Sequence, residues 1–105
     1  LGVFWLEEPL RWYLQPADFV RLAAATRIPL AHGERELTRF TVRDFIASGA
    51  IRYVQFDATR YAGFTEALRV AALSRRPTAW PTRTVAAIEI PNGTMNRIEA
   101  MVSAI

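Results

Sequence analysis

The stretch that decides the fold is Ile51-Arg52-Tyr53-Val54-Gln55-Phe56-Asp57, which is followed by a loop and then by Thr65-Glu66-Ala67-Leu68-Arg69-Val70-Ala71-Ala72-Leu73. The first run is rich in β-branched and aromatic residues, which favour a strand. In the second run Thr65 is a good helix N-cap, and the residues after it favour a helix. The two runs together predict one strand–helix unit, with Asp57 at the carboxyl end of the strand.

Two earlier segments repeat this strand–helix pattern. An apolar run at residues 3–6 precedes a helical pattern at residues 16–25, whose proline suits a first helical turn. A second run at residues 28–32 precedes a helix that we expect to begin near Thr41, with Asp44 completing a capping box. Strands and helices that alternate at this spacing predict right-handed βαβ units. The expected fold class is therefore α/β, with about three to four parallel βα units of a partial barrel.

The C-terminal third of the chain has a different character. Residues 74–84 contain two prolines and show no periodicity, so we expect a loop there. A possible strand follows at residues 85–90, and helical spacing from Thr94 onward predicts a final amphipathic helix. The sequence thus divides into residues 1–73, with three βα units, and residues 74–105, a divergent tail. A natural truncation and a reading-frame shift are both open as explanations of this tail.

Composition excludes several classes of protein. With 51% hydrophobic and 22% charged residues, the 105-residue chain is expected to fold rather than to stay disordered. Its 13 basic residues are all arginine and are scattered, which does not favour nucleic-acid binding. The absence of cysteine and lysine excludes disulfides, thiolate ligands and lysine bases. No apolar run approaches the length of a membrane span, so a soluble, cytoplasmic protein is expected.

Acidic residues fall where the predicted strands end. Glu7, Glu34 and Asp57 each stand at the carboxyl end of a strand, the edge at which parallel α/β folds bind ligands. Three carboxylates that converge there would suit Mg²⁺, which prefers oxygen ligands. The alternative is that each is a solvated strand-end acid, and that Asp57 caps the loop after it. Strand alternation points Glu8 to the opposite face from Glu7, where a structural use is expected.

Three motifs resemble one family. Residues 5–10 (WLEEPL), 28–34 (IPLAHGE) and 54–67 (VQFDATRYAGFTEA) resemble the enolase superfamily. The similarity is greatest to its mandelate racemase and muconate lactonizing group, especially the acid-sugar dehydratases. It extends over residues 1–73, with the motifs in the right order and spacing. The resemblance implies that this part of the chain corresponds to the fourth, fifth and sixth units of an eight-unit TIM barrel.

The resemblance also implies roles for individual residues. Glu7 and Glu34 match ligand positions for Mg²⁺, in enzymes that abstract the α-proton of a hydroxy-carboxylate. Asp57 matches the acid that pairs with a seventh-strand histidine to form the catalytic base. Arg60 matches a commonly basic loop position, where it would contact substrate or neutralise the acidic cluster; the alternative is an ordinary surface arginine. His32 is a further catalytic candidate, expected to face the barrel interior with Glu34; its alternative role is that of a packed, hydrogen-bonded residue.

Departures from the family pattern bear on activity. Its third-strand aspartate and second-strand lysine precede the matched stretch, and residues 77–84 lack the expected seventh-strand histidine. We therefore expect the isolated chain to be inactive and to bind Mg²⁺ weakly or not at all. The alternative is a non-catalytic half-barrel module. In either case an open sheet predicts a homo-oligomer that covers the would-be barrel interior, with Val3, Trp5, Leu30 and Val54 among the residues lining it. The sequence does not identify the substrate.

Overall fold

Four parallel strands lie side by side in chain order in this computed structural model. The structure describes residues 2–60 and 63–75, and of residues 83–87 the backbone alone. The elements in chain order are β1 (Leu6–Glu7), α1 (Pro16–Ala25), β2 (Leu30–His32), α2 (Arg39–Ser48), β3 (Tyr53–Asp57), α3 (Phe64–Ser74) and β4 (Arg83–Ala87). The predicted α/β class and parallel sheet are therefore confirmed.

The first strand is shorter than its apolar sequence suggests and lies later in the chain. A strand was expected at residues 3–6, but only Leu6–Glu7 pairs with β2. The ladder includes a bond from the Leu6 N–H to the Pro29 carbonyl, with an N···O distance of 2.9 Å. Pro29 has no N–H to return to the preceding part of the first strand. The proline that opens the second motif therefore prevents the ladder from extending toward Phe4.

The helix ends follow local capping chemistry, with one correction. Helix α1 has the predicted bounds, and Asp18 in its first turn accepts from the backbone N–H of Gln15 at 3.0 Å. The expected capping box at Thr41 is wrong, because α2 begins at Arg39 with Thr38 as its N-cap. The Thr38 hydroxyl oxygen accepts from the Thr41 N–H at 3.4 Å. The earlier start adds nearly a full turn to the helix.

Glycine residues cap the end of α2 and the start of α3. Gly49 ends α2 in the left-handed conformation, with φ 72°, as glycine at this position commonly does. Helix α3 is capped by Gly63 and not by Thr65. Strand β4 pairs with β3 over five residues and begins two residues before the expected residue 85. The expected C-terminal helix from Thr94 lies outside the described residues.

The hydrophobic core lies between the sheet and the helices. Because successive right-handed crossovers place their helices on one side of a parallel sheet, α1, α2 and α3 cover the same face. Across α2 and α3, Arg39 donates to both carboxylate oxygens of Glu66, at 2.6 Å for Oε2. The largest core side chains are Phe19, Leu30, Val42, Phe45, Ile46, Ile51, Val54, Phe56 and Val70.

Candidate functional site

The two faces of the sheet are chemically different. Leu30, Val54 and Phe56 point toward the helices and belong to the core. By strand alternation, Tyr53, Gln55 and Asp57 point to the opposite face, here called the inner face. The expectation that Leu30 and Val54 line the barrel interior is therefore wrong. Because parallel sheets in general bury apolar side chains on both faces, the apolar residues of these strands do not by themselves reveal which of them meet the helices.

Glu7 lies on the inner face at the carboxyl end of β1. Its Oε2 accepts from the Trp5 indole Nε1 at 3.1 Å, and its Oε1 accepts from Gln55 Nε2 at 2.8 Å. Trp5 in turn packs against Tyr53 with ring centroids 5.0 Å apart. One donor just before β1 and one donor on β3 therefore hold the carboxylate of Glu7 in one orientation.

Glu8 takes a different role on the other side of the sheet. It has φ 43°, a left-handed conformation that is uncommon for residues other than glycine. Its Oε1 accepts from the backbone N–H groups of Gly33 and Glu34, each at 3.0 Å. The expected structural use of Glu8 is confirmed by these bonds. They connect the end of β1 to the backbone that carries Glu34.

His32 lies between two carboxylates in the core. Its Nδ1 is 2.9 Å from Glu8 Oε2, and its Nε2 is 3.1 Å from Glu36 Oε1. An ionised carboxylate only accepts hydrogen bonds, so both ring nitrogens carry protons and the ring is an imidazolium. The rings of Phe19 and Phe45 pack on it, with centroids 4.5 and 4.1 Å away.

This packing places His32 on the helix side of the sheet, with 2% of its surface exposed. The expectation that it faces the barrel interior is therefore wrong. Side chains alternate along β2, so His32 points to the same side as Leu30, toward the helices, and Ala31 points to the inner face. Burial by itself would lower the His32 pKa, but the hydrogen bonds and charges of Glu36 and Glu8 outweigh it and raise that pKa to about 8. The geometry fits the packed, hydrogen-bonded alternative, and a catalytic role for His32 stays a prediction.

Asp57 ends β3 and organises the turn that follows. Its Oδ1 accepts from the Thr59 backbone N–H at 2.8 Å and from the Thr59 hydroxyl at 2.7 Å. The Arg60 N–H donates to the Asp57 carbonyl at 3.1 Å, and the Arg60 residue is exposed. Asp57 therefore caps its loop, as one alternative held, while lying on the same face as Glu7. The catalytic role of Asp57 and the substrate contact of Arg60 stay predictions.

The predicted metal ligands do not form a complete site by themselves. Carboxylate oxygens are suitable ligands for Mg²⁺; Glu7 ends β1, and Glu34 comes two residues after the neighbouring strand β2. Within residues 2–60 and 63–75, however, no group of three or more acidic or histidine side chains is placed to hold a metal ion. Both oxygens of Glu7 are already bound by N–H donors. These residues therefore do not fit a self-contained metal centre.

Two residues of this region were missed in the sequence. Gln55 had a usable signal, because it is a polar residue within an apolar strand, two positions before Asp57, and so shares its face. Glu36 had none, since it lies in the turn after β2 and reaches His32 only through the path of that turn.

The helices of the described residues do not include one with the length and hydropathy of a membrane span.

Comparison with known proteins connects this geometry to a family. Residues 1–77 match the family described as enolase C-terminal domain-like. The chain is 40% identical to D-galactonate dehydratase of Xanthomonas oryzae over 70 residues, which are 66% of this chain and 18% of that enzyme. It therefore spans about a fifth of the length of this curated relative.

Solved structures agree with the fold. A mandelate racemase/muconate lactonizing enzyme from a marine actinobacterium, in complex with magnesium, superposes with a TM-score of 0.70 at 26% identity, over 79% of this chain and 23% of that one. L-talarate dehydratase from Polaromonas sp. JS666, complexed with Mg and L-glucarate, gives 0.66 at 28% identity, over 84% and 22%. The sequence resemblance is thus confirmed. This chain belongs to the enolase C-terminal domain-like family and is similar to its mandelate racemase and muconate lactonizing enzymes.

Proposed function

We propose that this chain is part of a Mg²⁺-dependent acid-sugar dehydratase, a lyase that abstracts the α-proton of a hydroxy-carboxylate. The observation that carries the proposal is the shared face of Glu7 and Asp57. They end β1 and β3 on the inner face, at the strand edge where parallel barrels bind substrate. The similarity to D-galactonate dehydratase and to L-talarate dehydratase supports an acid sugar as the substrate class.

Each predicted site residue has a distinct role in this reaction. Glu7 and Glu34 provide carboxylates for the metal, whose remaining ligands come from outside the described residues. Asp57 orients and charges a histidine that acts as the base, which is a common use of carboxylate–histidine pairs. This histidine is not His32 and would come from another part of the enzyme. Arg60, exposed in the turn after Asp57, contacts the substrate. For His32 the packed alternative is proposed in place of the catalytic one, since it supports the loop of Glu34 through Glu8.

By itself the chain is proposed to be inactive. Proton abstraction needs a base near the substrate carbon. The sequence has no lysine, and its single histidine, His32, is held in the core between Glu8 and Glu36. A screen of acid sugars with the isolated chain and Mg²⁺ should therefore give no turnover above background. Mg²⁺-dependent turnover that disappears in Glu34→Gln would contradict this part of the proposal.

A chimera tests the role of the segment in catalysis. Residues 1–73 would replace the matching segment of Xanthomonas oryzae D-galactonate dehydratase, and dehydration of D-galactonate would be measured. We expect an active, Mg²⁺-dependent chimera. Asp57→Asn should lower its kcat by about 100-fold or more, since positioned acid–base groups contribute factors of that size. The asparagine can still accept from Thr59, so the turn after β3 is expected to be retained.

The matched control is Asp44→Asn, the same chemical change at an exposed residue of α2 whose partner is the neighbouring Arg43. It should leave kcat unchanged. A folded chimera in which Asp57→Asn is as active as Asp44→Asn would refute the proposed role of Asp57. A folded but inactive chimera would refute the proposed reaction class.

The inner face favours one alternative function, that of a self-associating half-barrel module. Phe4, Trp5 and Tyr53 form an aromatic cluster on this face, and 70% of Phe4 is exposed. Exposed apolar surface and open sheet edges favour association with another copy. In this case the chain would form a homo-oligomer without any catalytic role.

A further inference from the structure

Gln55 is a buried polar residue on the inner face, with 5% of its surface exposed. Its Nε2 donates to Glu7 Oε1 at 2.8 Å, although β2 lies between the two strands. The intervening residue is Ala31, which is in register with Glu7 on one side and with Tyr53 on the other. Because alanine has a small side chain, the amide of Gln55 can extend over β2 to reach the carboxylate.

The orientation of this amide is determined by its partner. The Glu7 carboxylate accepts hydrogen bonds and cannot donate them, so the NH₂ group of Gln55 must face it. The opposite orientation would place two acceptor oxygens against each other. Gln55 Oε1 therefore points away from Glu7, and no donor among the described residues reaches it. A buried acceptor without a donor is unfavourable, because it has lost its hydrogen bonds to water without replacement, so the position favours an incoming donor.

The neighbouring groups restrict the chemistry of that donor. Glu7 lies on one side of Gln55, and Asp57 follows it on the same face about 6.6 Å further along the strand. A ligand group that approaches Oε1 therefore meets acceptors, and an ionised carboxylate group at this point could not donate to Oε1. A hydroxyl group can donate to Oε1 without adding charge.

We infer that Gln55 is a positioning residue for Glu7, and that its Oε1 accepts a hydrogen bond from a hydroxyl group on the inner face. The hydroxyl belongs either to a polyhydroxy compound or to a water molecule. This inference deepens the proposed function, since it rests on a substrate rich in hydroxyl groups. Its test measures the NMR signals of the Gln55 amide and not turnover. The inference can therefore fail while the chimera is active.

The positioning role is tested by NMR on the labelled 105-residue chain, which has two glutamines. Gln15 is exposed, with its Nε2 3.4 Å from the Tyr13 carbonyl, and serves as the internal reference. One Gln55 side-chain proton should lie downfield of the Gln15 protons and exchange more slowly with solvent. Glu7→Met should abolish both features, and Asp44→Asn should preserve them. If Glu7→Met leaves the Gln55 signals unchanged, the positioning role is refuted.

The donor is tested by titrating the same sample with galactitol, gluconate and acetate. If a polyhydroxy compound supplies the hydroxyl, the Gln55 carbonyl resonance should move saturably with galactitol and gluconate but not with acetate. If water supplies it, the polyols should have no effect, and magnetisation should transfer from bound water to the Gln55 amide. No polyol response together with no water contact would overturn the assignment. The Gln55 side-chain amide signals are assigned as those that disappear in Gln55→Met. If that variant does not fold, Gln55→Glu, which also removes the amide, provides the same assignment.

Discussion

The imidazole Nδ1 of His32 lies 2.9 Å from Oε2 of Glu8, which joins the last residue of β2 to the residue that follows β1. The other ring nitrogen contacts Glu36, so one buried cation bridges two carboxylates. Glu8 also holds the backbone of Gly33 and Glu34. The charge state of this cluster therefore affects the loop that carries a predicted metal ligand.

The first prediction concerns stability at alkaline pH. The folded-state pKa of His32 is raised from 6.5 to about 8. A group with a raised pKa stabilises the fold fully below its unfolded pKa, and this contribution is lost as the pH rises through the folded value. The free energy of unfolding should therefore fall by roughly 2 kcal/mol between pH 6 and pH 9. Urea denaturation at several pH values measures it.

The control for this prediction is Glu36→Gln, which removes one of the charges that raise the His32 pKa. The decrease in this variant should be smaller and should begin at lower pH. A stability profile that is flat from pH 6 to pH 9 in the parent chain would contradict the imidazolium assignment.

Glu8→Gln should destabilise the fold. The carboxylate accepts from two backbone N–H groups and from His32, and a charged hydrogen bond contributes about 1.5–3 kcal/mol. The amide cannot accept from all three donors at once, so a loss of about that size in unfolding free energy is expected. Asp44→Asn, at an exposed site, should change it by less than about 0.5 kcal/mol. Equal effects of the two variants would show that the Glu8 contacts contribute little.

Gly33→Ala should be more destabilising than Gly63→Ala. Both glycines have positive φ, 130° and 83°, so both substitutions cause backbone strain. A Cβ at Gly33 would lie 2.4 Å from the Gln55 carbonyl oxygen, whereas one at Gly63 would have no neighbour within 4 Å. The overlap should add about 1–3 kcal/mol to the cost at Gly33. Thermal unfolding of both variants provides the comparison, and a Gly33→Ala chain no less stable than Gly63→Ala would rule out the close approach.

Self-association is the last prediction. At micromolar concentration, sedimentation velocity should show a homodimer or a larger oligomer, because 70% of Phe4 is exposed beside the aromatic rings of Trp5 and Tyr53, and exposed apolar surface favours pairing with another copy. Phe4→Ser should shift the distribution toward monomer. Phe64→Ser is the matched control, since Phe64 is also 70% exposed but belongs to α3 on the helix side. A monomeric parent chain, or equal dissociation in both variants, would argue against association through the inner face.

The order of the elements could be predicted because the signals for it are local. Pro16 and Asp18 define the start of α1, and Gly49 defines the end of α2, through contacts with near neighbours in sequence. The choice between Thr38 and Thr41 as the cap of α2 was not determined in this way. Both residues are good caps, and with the start at Arg39 the Val42 N–H donates to the Thr38 carbonyl at 3.3 Å, while the Val42 side chain is buried with Phe45 and Ile46.

The sequence by itself determined the α/β class, the alternation of strands and helices, and the placement of Glu7 and Asp57 at strand ends. Only the tertiary structure decided which face each residue occupies, because a parallel sheet buries apolar side chains on both sides. It placed His32 among the helices and brought Gln55 to Glu7 across 48 positions of sequence. Such long-range contacts depend on strand register and on the small Ala31 between them, and neither leaves a local pattern in the sequence.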